Sequence, residues 1–130
     1  MKKEILLDGN RFSTLAEFYD EVEEKLTKSL DWKIGRNLDA YNDVLRGGFG
    51  VHDYEEPLKL VWKNSGKSKV DLGYTETINH FGKLLQSCHP SNIHGVKANL
   101  ENAKNGKGKT LFETIVDITG EHKHIELSLE

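Results

Sequence analysis

The chain has 130 residues, of which 36% are hydrophobic and 30% charged, with a formal net charge of −3. That length and balance suit a single globular domain spanning 1–130 with a real core, and no apolar run approaches the ~20 residues of a membrane helix. The lone cysteine, Cys88, excludes an internal disulfide and agrees with a reducing compartment.

The charge is unevenly spread: residues 1–56 carry a net −5, residues 57–110 a net +6 and residues 111–130 a net −4. If the two acidic ends meet in space, the fold has an acidic side, which disfavours nucleic acid and attracts basic partners. The N-terminus begins with basic residues, but its apolar stretch is only Ile5–Leu7. A secretory leader needs an apolar stretch of about 7–15 residues, so a cytoplasmic location is expected.

"KEILLD" (3–8) reads as a short buried strand, stopped by Asp8-Gly9-Asn10. Ser13 is a candidate N-cap for "TLAEFYDEVEEKL", whose Leu15, Phe18, Val22 and Leu26 repeat at spacings of three and four and predict an amphipathic helix. Asn37 is placed to cap a second helix, "LDAYNDVL", which ends before Gly47-Gly48. "GGFGVHDYEEP" reads as a loop, and "LKLVW" (58–62) as a strand introduced by Pro57. "KNSGKSKVDLG" is polar and loop-like. A helix is expected over 74–88, a shorter one around Val96–Ala103, and then a tip at "KNGKGK". "TLFETIVDIT" predicts a further helix ended by Gly120, and "HIELSL" (124–129) alternates as a last strand.

Helices separate successive strands, which favours parallel pairing with right-handed crossovers. The expected fold class is therefore α/β: a small three-stranded parallel sheet covered by helices.

The second helix is the most informative element. At ~100° per residue, Leu38, Tyr41, Val44 and Leu45 share one arc, while Asp39, Asn42, Asp43 and Arg46 share another. One explanation is a solvated face with Arg36–Asp39 and Asp43–Arg46 pairs at i,i+3, each contributing ~0.2–0.5 kcal/mol. The other is a surface that receives something positively charged.

"GRNLDAYNDVL" resembles the recognition-helix signature of the barstar family of ribonuclease inhibitors: Gly, any residue, Asn-Leu-Asp-Ala, two residues, Asp, any residue, Leu. "MKKEILLDGNRFSTLAEFYDEV", "EPLKLVW" and "FETIVDITGEHKHIELSLE" are similar to that family's first strand and helix, central strand, and last helix and strand. The resemblance covers most of 1–63 and 110–130 and leaves an enlarged middle insertion, roughly 64–109. It implies a barstar-like domain whose acidic helix and adjoining loop plug the active site of a small basic ribonuclease or ribonuclease toxin domain. By position, Asp39 and Asp43 match the two helix aspartates that face the enzyme, and Asp117 and Glu121 match two acidic positions on the last helix. Asn42 stands where members often have tryptophan. Arg46 adds a positive charge to the same face, Trp32 can replace an aromatic pair usually found before the motif glycine, and Phe49 is an exposed aromatic candidate in the loop that follows. The chemistry is sound in itself, because a carboxylate on a rigid helix can occupy a phosphate position and accept the same charge-assisted hydrogen bonds.

Other signals point nowhere stronger. A phosphate-binding loop would need glycine where Val61 lies inside a strand. His89, His94, His122 and His124 with one cysteine lack the paired spacing of a zinc site. Asp39 and Asp43 on one exposed turn suggest no substrate cleft, and the basic middle has few interleaved aromatics. The expectation is a non-enzymatic protein inhibitor, an immunity protein, monomeric when free. It should use no metal, cofactor, nucleic acid or membrane. The alternative is a non-inhibitory interaction module on the same scaffold that binds a different basic partner.

Overall fold

The structure, a computed structural model, describes residues 3–27, 35–47 and 55–130. Three strands, β1 (Lys3–Asp8), β2 (Leu58–Lys63) and β3 (Ile125–Leu129), form one parallel sheet in the order β1-β2-β3. The register sets Leu7 beside Trp62 and Trp62 beside Leu129. The connections supply α1 (Leu15–Val22) and α2 (Leu38–Arg46) between β1 and β2, then α3 (Ser65–Asp71), α4 (Tyr74–Ser87), α5 (Ile93–Lys104) and α6 (Leu111–Gly120) between β2 and β3. The parallel α/β sheet expected from the element order is the one observed.

Period-two alternation sorts the sheet into two faces. Leu7, Leu58, Leu60, Trp62 and Ile125 point into the core, with Ile5 and Leu127 packed against it. The opposite face carries the ion pairs Lys59–Glu126 and Lys63–Glu130, and Leu6 there is 39% exposed. Sequential strand order with crossovers of the usual hand places all connections on one side of the sheet, which accounts for this one-sided covering. At the centre the Trp62 ring stacks on Phe18 (5.7 Å between centroids) and meets Phe112 at 5.1 Å, while Tyr41 meets Phe18 edge-on at 5.4 Å. Such rings bury large apolar areas and favour offset or T-shaped contacts.

Three local expectations are corrected. The cap of α1 is Thr14 rather than Ser13: its hydroxyl accepts from the Glu17 amide, and the Glu17 carboxylate accepts from the Ser13 amide. Thr14 has extended backbone angles (φ −127°, ψ 165°), so Leu15 is the first helical residue. The expected α-helix to Leu26 instead widens into a π turn over Glu23–Thr27, with Leu26 fully buried. The stretch read as loop, "KNSGKSKVDLG", forms α3. Only Ser68 and Leu72 of it are fully buried, and Ser68 Oγ accepts from the Trp62 indole at 2.9 Å. The ammonium of Lys67 ties the helix to the carbonyls of Gly9 and Phe12. Gly9 permits this approach: a Cβ there would lie 2.5 Å from Ser68 Oγ and 2.7 Å from the Asn64 carbonyl.

Helices α4 and α5 pair with each other at the margin. Neither contributes to the main core cluster, and only Thr77 and Ala103 of the two are buried. Thr77 Oγ1 accepts from the Leu111 amide, and Glu76 accepts from the Leu15 amide at the start of α1. Among the described residues no helix is long and apolar enough to cross a membrane.

Candidate functional site

Helix α2 is built as its pattern demands. Asn37 caps it through Oδ1, which accepts from the Ala40 amide at 2.7 Å. Tyr41, Val44 and Leu45 are buried, whereas Asp39, Asp43 and Arg46 are exposed and Asn42 is half-buried. The side chain of Tyr41 reaches α6, where its hydroxyl lies 2.8 Å from Thr119 Oγ1. Thr119 gives its own proton to the Ile115 carbonyl, so Tyr41 is the donor. Burial holds the Tyr41 phenol well above its ordinary range, so this joint stays neutral. The acidic N-terminal part and the acidic C-terminal part therefore do meet, through α2 and α6.

One of the two expected pairs on this helix forms. Arg46 Nη1 lies 3.3 Å from Asp43 Oδ1, with both side chains exposed. Arg36 does not meet Asp39. It turns back to Asp20 of α1 at 2.7 Å and to Glu23 of the following π turn at 3.1 Å, and donates to the Ala16 carbonyl. The hydrogen bond to Asp20 raises its pKa further, and its guanidinium sits 5.9 Å from the Tyr19 ring centre. The positive charge of Arg36 is thus absorbed by α1. Among the described residues Asp39 has no ion-pair or hydrogen-bond partner.

The C-terminal half of α2 borders an open cleft of about 580 Å³, lined by Asn42, Arg46, Glu55, Glu121, His122, Lys123 and His124. Glu121 directly follows α6 and closes its last turn through its amide. His122 Nε2 donates to Asn42 Oδ1 at 2.6 Å, and His124 Nε2 donates to the Leu45 carbonyl at 2.8 Å. Burial lowers the His122 pKa, with His124 and Arg46 adding to the effect and Glu121 and Glu55 opposing it. These histidines fasten the approach to β3 onto α2. Among the described residues no group of three or more His, Cys, Asp or Glu is arranged to hold a metal ion.

Four of the residues singled out from the sequence, Asp39, Asn42, Asp43 and Arg46, therefore share one face, and Glu121 joins the cleft at its end. Asp117 does not line this cleft; it pairs with Lys109, whose pKa it raises. Trp32 and Phe49 lie outside the described residues. Sequence reasoning weighed His122 and His124 only as zinc ligands and did not place them against α2. The only available signal was His-x-His immediately before an alternating strand, which says nothing about a partner 80 positions away.

A family model described as Barstar (barnase inhibitor) matches residues 2–89. The span takes in β1, α1, α2, β2, α3 and α4, so it holds Asp39 and Asp43 but not Asp117 or Glu121. No curated protein matches the chain.

Proposed function

Because the chain belongs to the barstar family, we propose that it is an intracellular inhibitor of a small basic ribonuclease or ribonuclease toxin domain, an immunity protein that blocks the enzyme's phosphate-binding site with α2 and the adjoining loop. The observation that carries this reading is the state of the two aspartates. Asp39 is exposed and unpaired among the described residues, and Asp43 is held only by a solvent-exposed pair with Arg46. Both stand on a helix fixed from beneath by Tyr41, Val44 and Leu45.

A ribonuclease active site gathers cations to hold phosphate. Two carboxylates on a rigid helix present acceptors to those cations without first having to be ordered. Like charges at i,i+4 cost such a helix ~0.2–0.5 kcal/mol, and a cationic partner relieves that repulsion. Arg36 does not oppose such a partner, because Asp20 and Glu23 already balance it. The acidic surface also speeds encounter with a basic enzyme, an effect that falls as salt rises. In this reading Asn42, Arg46 and Glu121 border the contact and Trp32 and Phe49 extend it. Asp117 contributes only by exchanging Lys109 for the partner.

The test is titration of barnase with the purified protein in a fluorogenic RNA-cleavage assay. Equimolar loss of activity, weakened at least tenfold by Asp39→Asn or Asp43→Asn, is expected. Full activity with barnase and with other members of its ribonuclease class, at micromolar protein, would refute the proposal.

A further inference from the structure

We propose that Arg46 is a two-position gate over Asp43, paired with Asp43 in the free protein and moved into the neighbouring cleft onto Glu55 and Glu121 when a partner's cation takes Asp43. For Asp43 the proposal rests on the inhibitory reading above, but the gate itself can be tested without any partner.

Two observations and one electrostatic argument carry it. First, the present pair is weak by construction. One guanidinium nitrogen meets one carboxylate oxygen at 3.3 Å, both side chains are more than half exposed, and the spacing is i,i+3 on one helix. Exposed pairs of this kind are readily exchanged. A guanidinium arriving from a partner in fork-to-fork geometry makes two shorter bonds to the same carboxylate and displaces it.

Second, a displaced Arg46 has somewhere to go. It already lines the cleft, whose wall also carries Glu55 and Glu121. Neither of these carboxylates has an ion-pair partner among the described residues. The Glu55 amide donates to the Arg46 carbonyl at 2.6 Å, which fixes the Glu55 backbone beside the base of the arginine.

Third, leaving Arg46 in place during binding would set two cations against one carboxylate. A side chain that cannot withdraw would repel the partner. One that withdraws to two waiting carboxylates lets the site act as a filter: Asp43 opens only to a cation that binds it better than the single-contact Arg46 does. The consequence is selectivity for a partner arginine over a partner lysine at Asp43. Lys123 shares the cleft and competes for the same carboxylates, so it sets how readily Arg46 is received.

The His122 imidazole is a built-in reporter of the second position. Arg46 near it lowers its pKa, while Glu55 and Glu121 raise it. Movement of Arg46 into the cleft strengthens the first effect and cancels the second. In the full-length protein, NMR titration of the His122 ring should therefore show a fall in Asp43→Asn beyond that caused by loss of the Asp43 charge alone. The excess is measured as the difference between the fall in the wild-type background and the fall in an Arg46→Gln background, and about 0.2–0.5 pH unit is expected. Equal falls in the two backgrounds would overturn the gate. In the ribonuclease assay with barnase as the probe, Arg46→Gln should inhibit a few-fold more tightly than wild type, and unchanged or weaker inhibition by it would also overturn the gate. If the wild-type protein leaves barnase active, the inhibitory reading fails for that enzyme, while the His122 comparison still decides the gate.

Discussion

Replacing Tyr41 with phenylalanine removes one oxygen atom from the joint between α2 and α6. The ring is 1% exposed and packs edge-on against Phe18, so the phenylalanine keeps its apolar contacts. The lost interaction is the hydrogen bond to Thr119 Oγ1 at 2.8 Å. Thr119 still donates to the Ile115 carbonyl, so only its lone pairs go unused, and a cost of ~0.5–1.5 kcal/mol follows. Thr119→Val is the harsher change. It leaves the Tyr41 proton buried with no acceptor, at ~1–3 kcal/mol. In the double variant no polar group is orphaned, so its destabilisation should fall below the sum of the two single losses by ~0.5 kcal/mol or more. Urea denaturation at pH 7, with stability taken from midpoint and slope, measures all four proteins. Strict additivity, or a Thr119→Val variant milder than Tyr41→Phe, would refute this account of how α2 is held to α6.

Further outcomes follow from the same structure. Burial raises the pKa of Tyr19 to about 12 and holds that of Tyr41 higher still, against an unfolded value of 10.0. The folded chain therefore keeps protons that the unfolded chain releases, and stability should be level up to about pH 9–10 and fall as pH rises from 10 through 12. A level thermal midpoint over pH 10–12 would contradict this. Burial lowers the pKa values of His122 and His80 below 6.5, so the unfolded chain takes up protons first and stability should fall as pH drops below 6.5. His80→Asn together with His122→Asn should flatten that slope in a thermal-melt series. Gly9→Ala drives a methyl to 2.5 Å from Ser68 Oγ and 2.9 Å from the Lys63 carbonyl. It should cost ~1–3 kcal/mol by urea denaturation, and a neutral result would mean that β1 and α3 are less tightly apposed. Arg36→Gln should cost less than ~1 kcal/mol, because Asp20 is mostly solvent-exposed in the pair it breaks, and the loss should shrink in high salt.

What the sequence discloses and what it hides divide along physical lines. The strands, α1, α2 and α6 are legible because each buries a regular apolar stripe: Leu15, Phe18 and Val22 on α1, and Leu111, Phe112 and Ile115 on α6. Helix α3 is not legible. Its seven residues bury little of themselves, and its reason to exist is the Trp62 indole and the carbonyls of Gly9 and Phe12, all distant in sequence. The two faces of α2 can be read from spacing alone, but the partners of its charges cannot. Local rules pair Arg36 with Asp39 three residues on, yet it finds Asp20 on α1 and Glu23 on the π turn that follows. The same limit hides the cleft: Asn42 with His122, and Leu45 with His124, are joined only once α2, α6 and β3 are assembled. Asp117 shows the converse, because its i,i+4 relation to Glu121 suggests a shared face while Lys109 captures it.

The inhibitory account turns on whether Asp39 and Asp43 act on a ribonuclease without being needed for the fold. Both are exposed, and their replacement by asparagine should change stability by no more than ~0.5 kcal/mol each. The most direct measurement is barnase activity titrated with wild-type protein and with the Asp39→Asn/Asp43→Asn double variant, each first shown by urea denaturation to be equally folded. The account predicts equimolar inhibition by the wild type and at least a hundredfold weaker inhibition by the folded double variant. Inhibition of equal strength from both would contradict it.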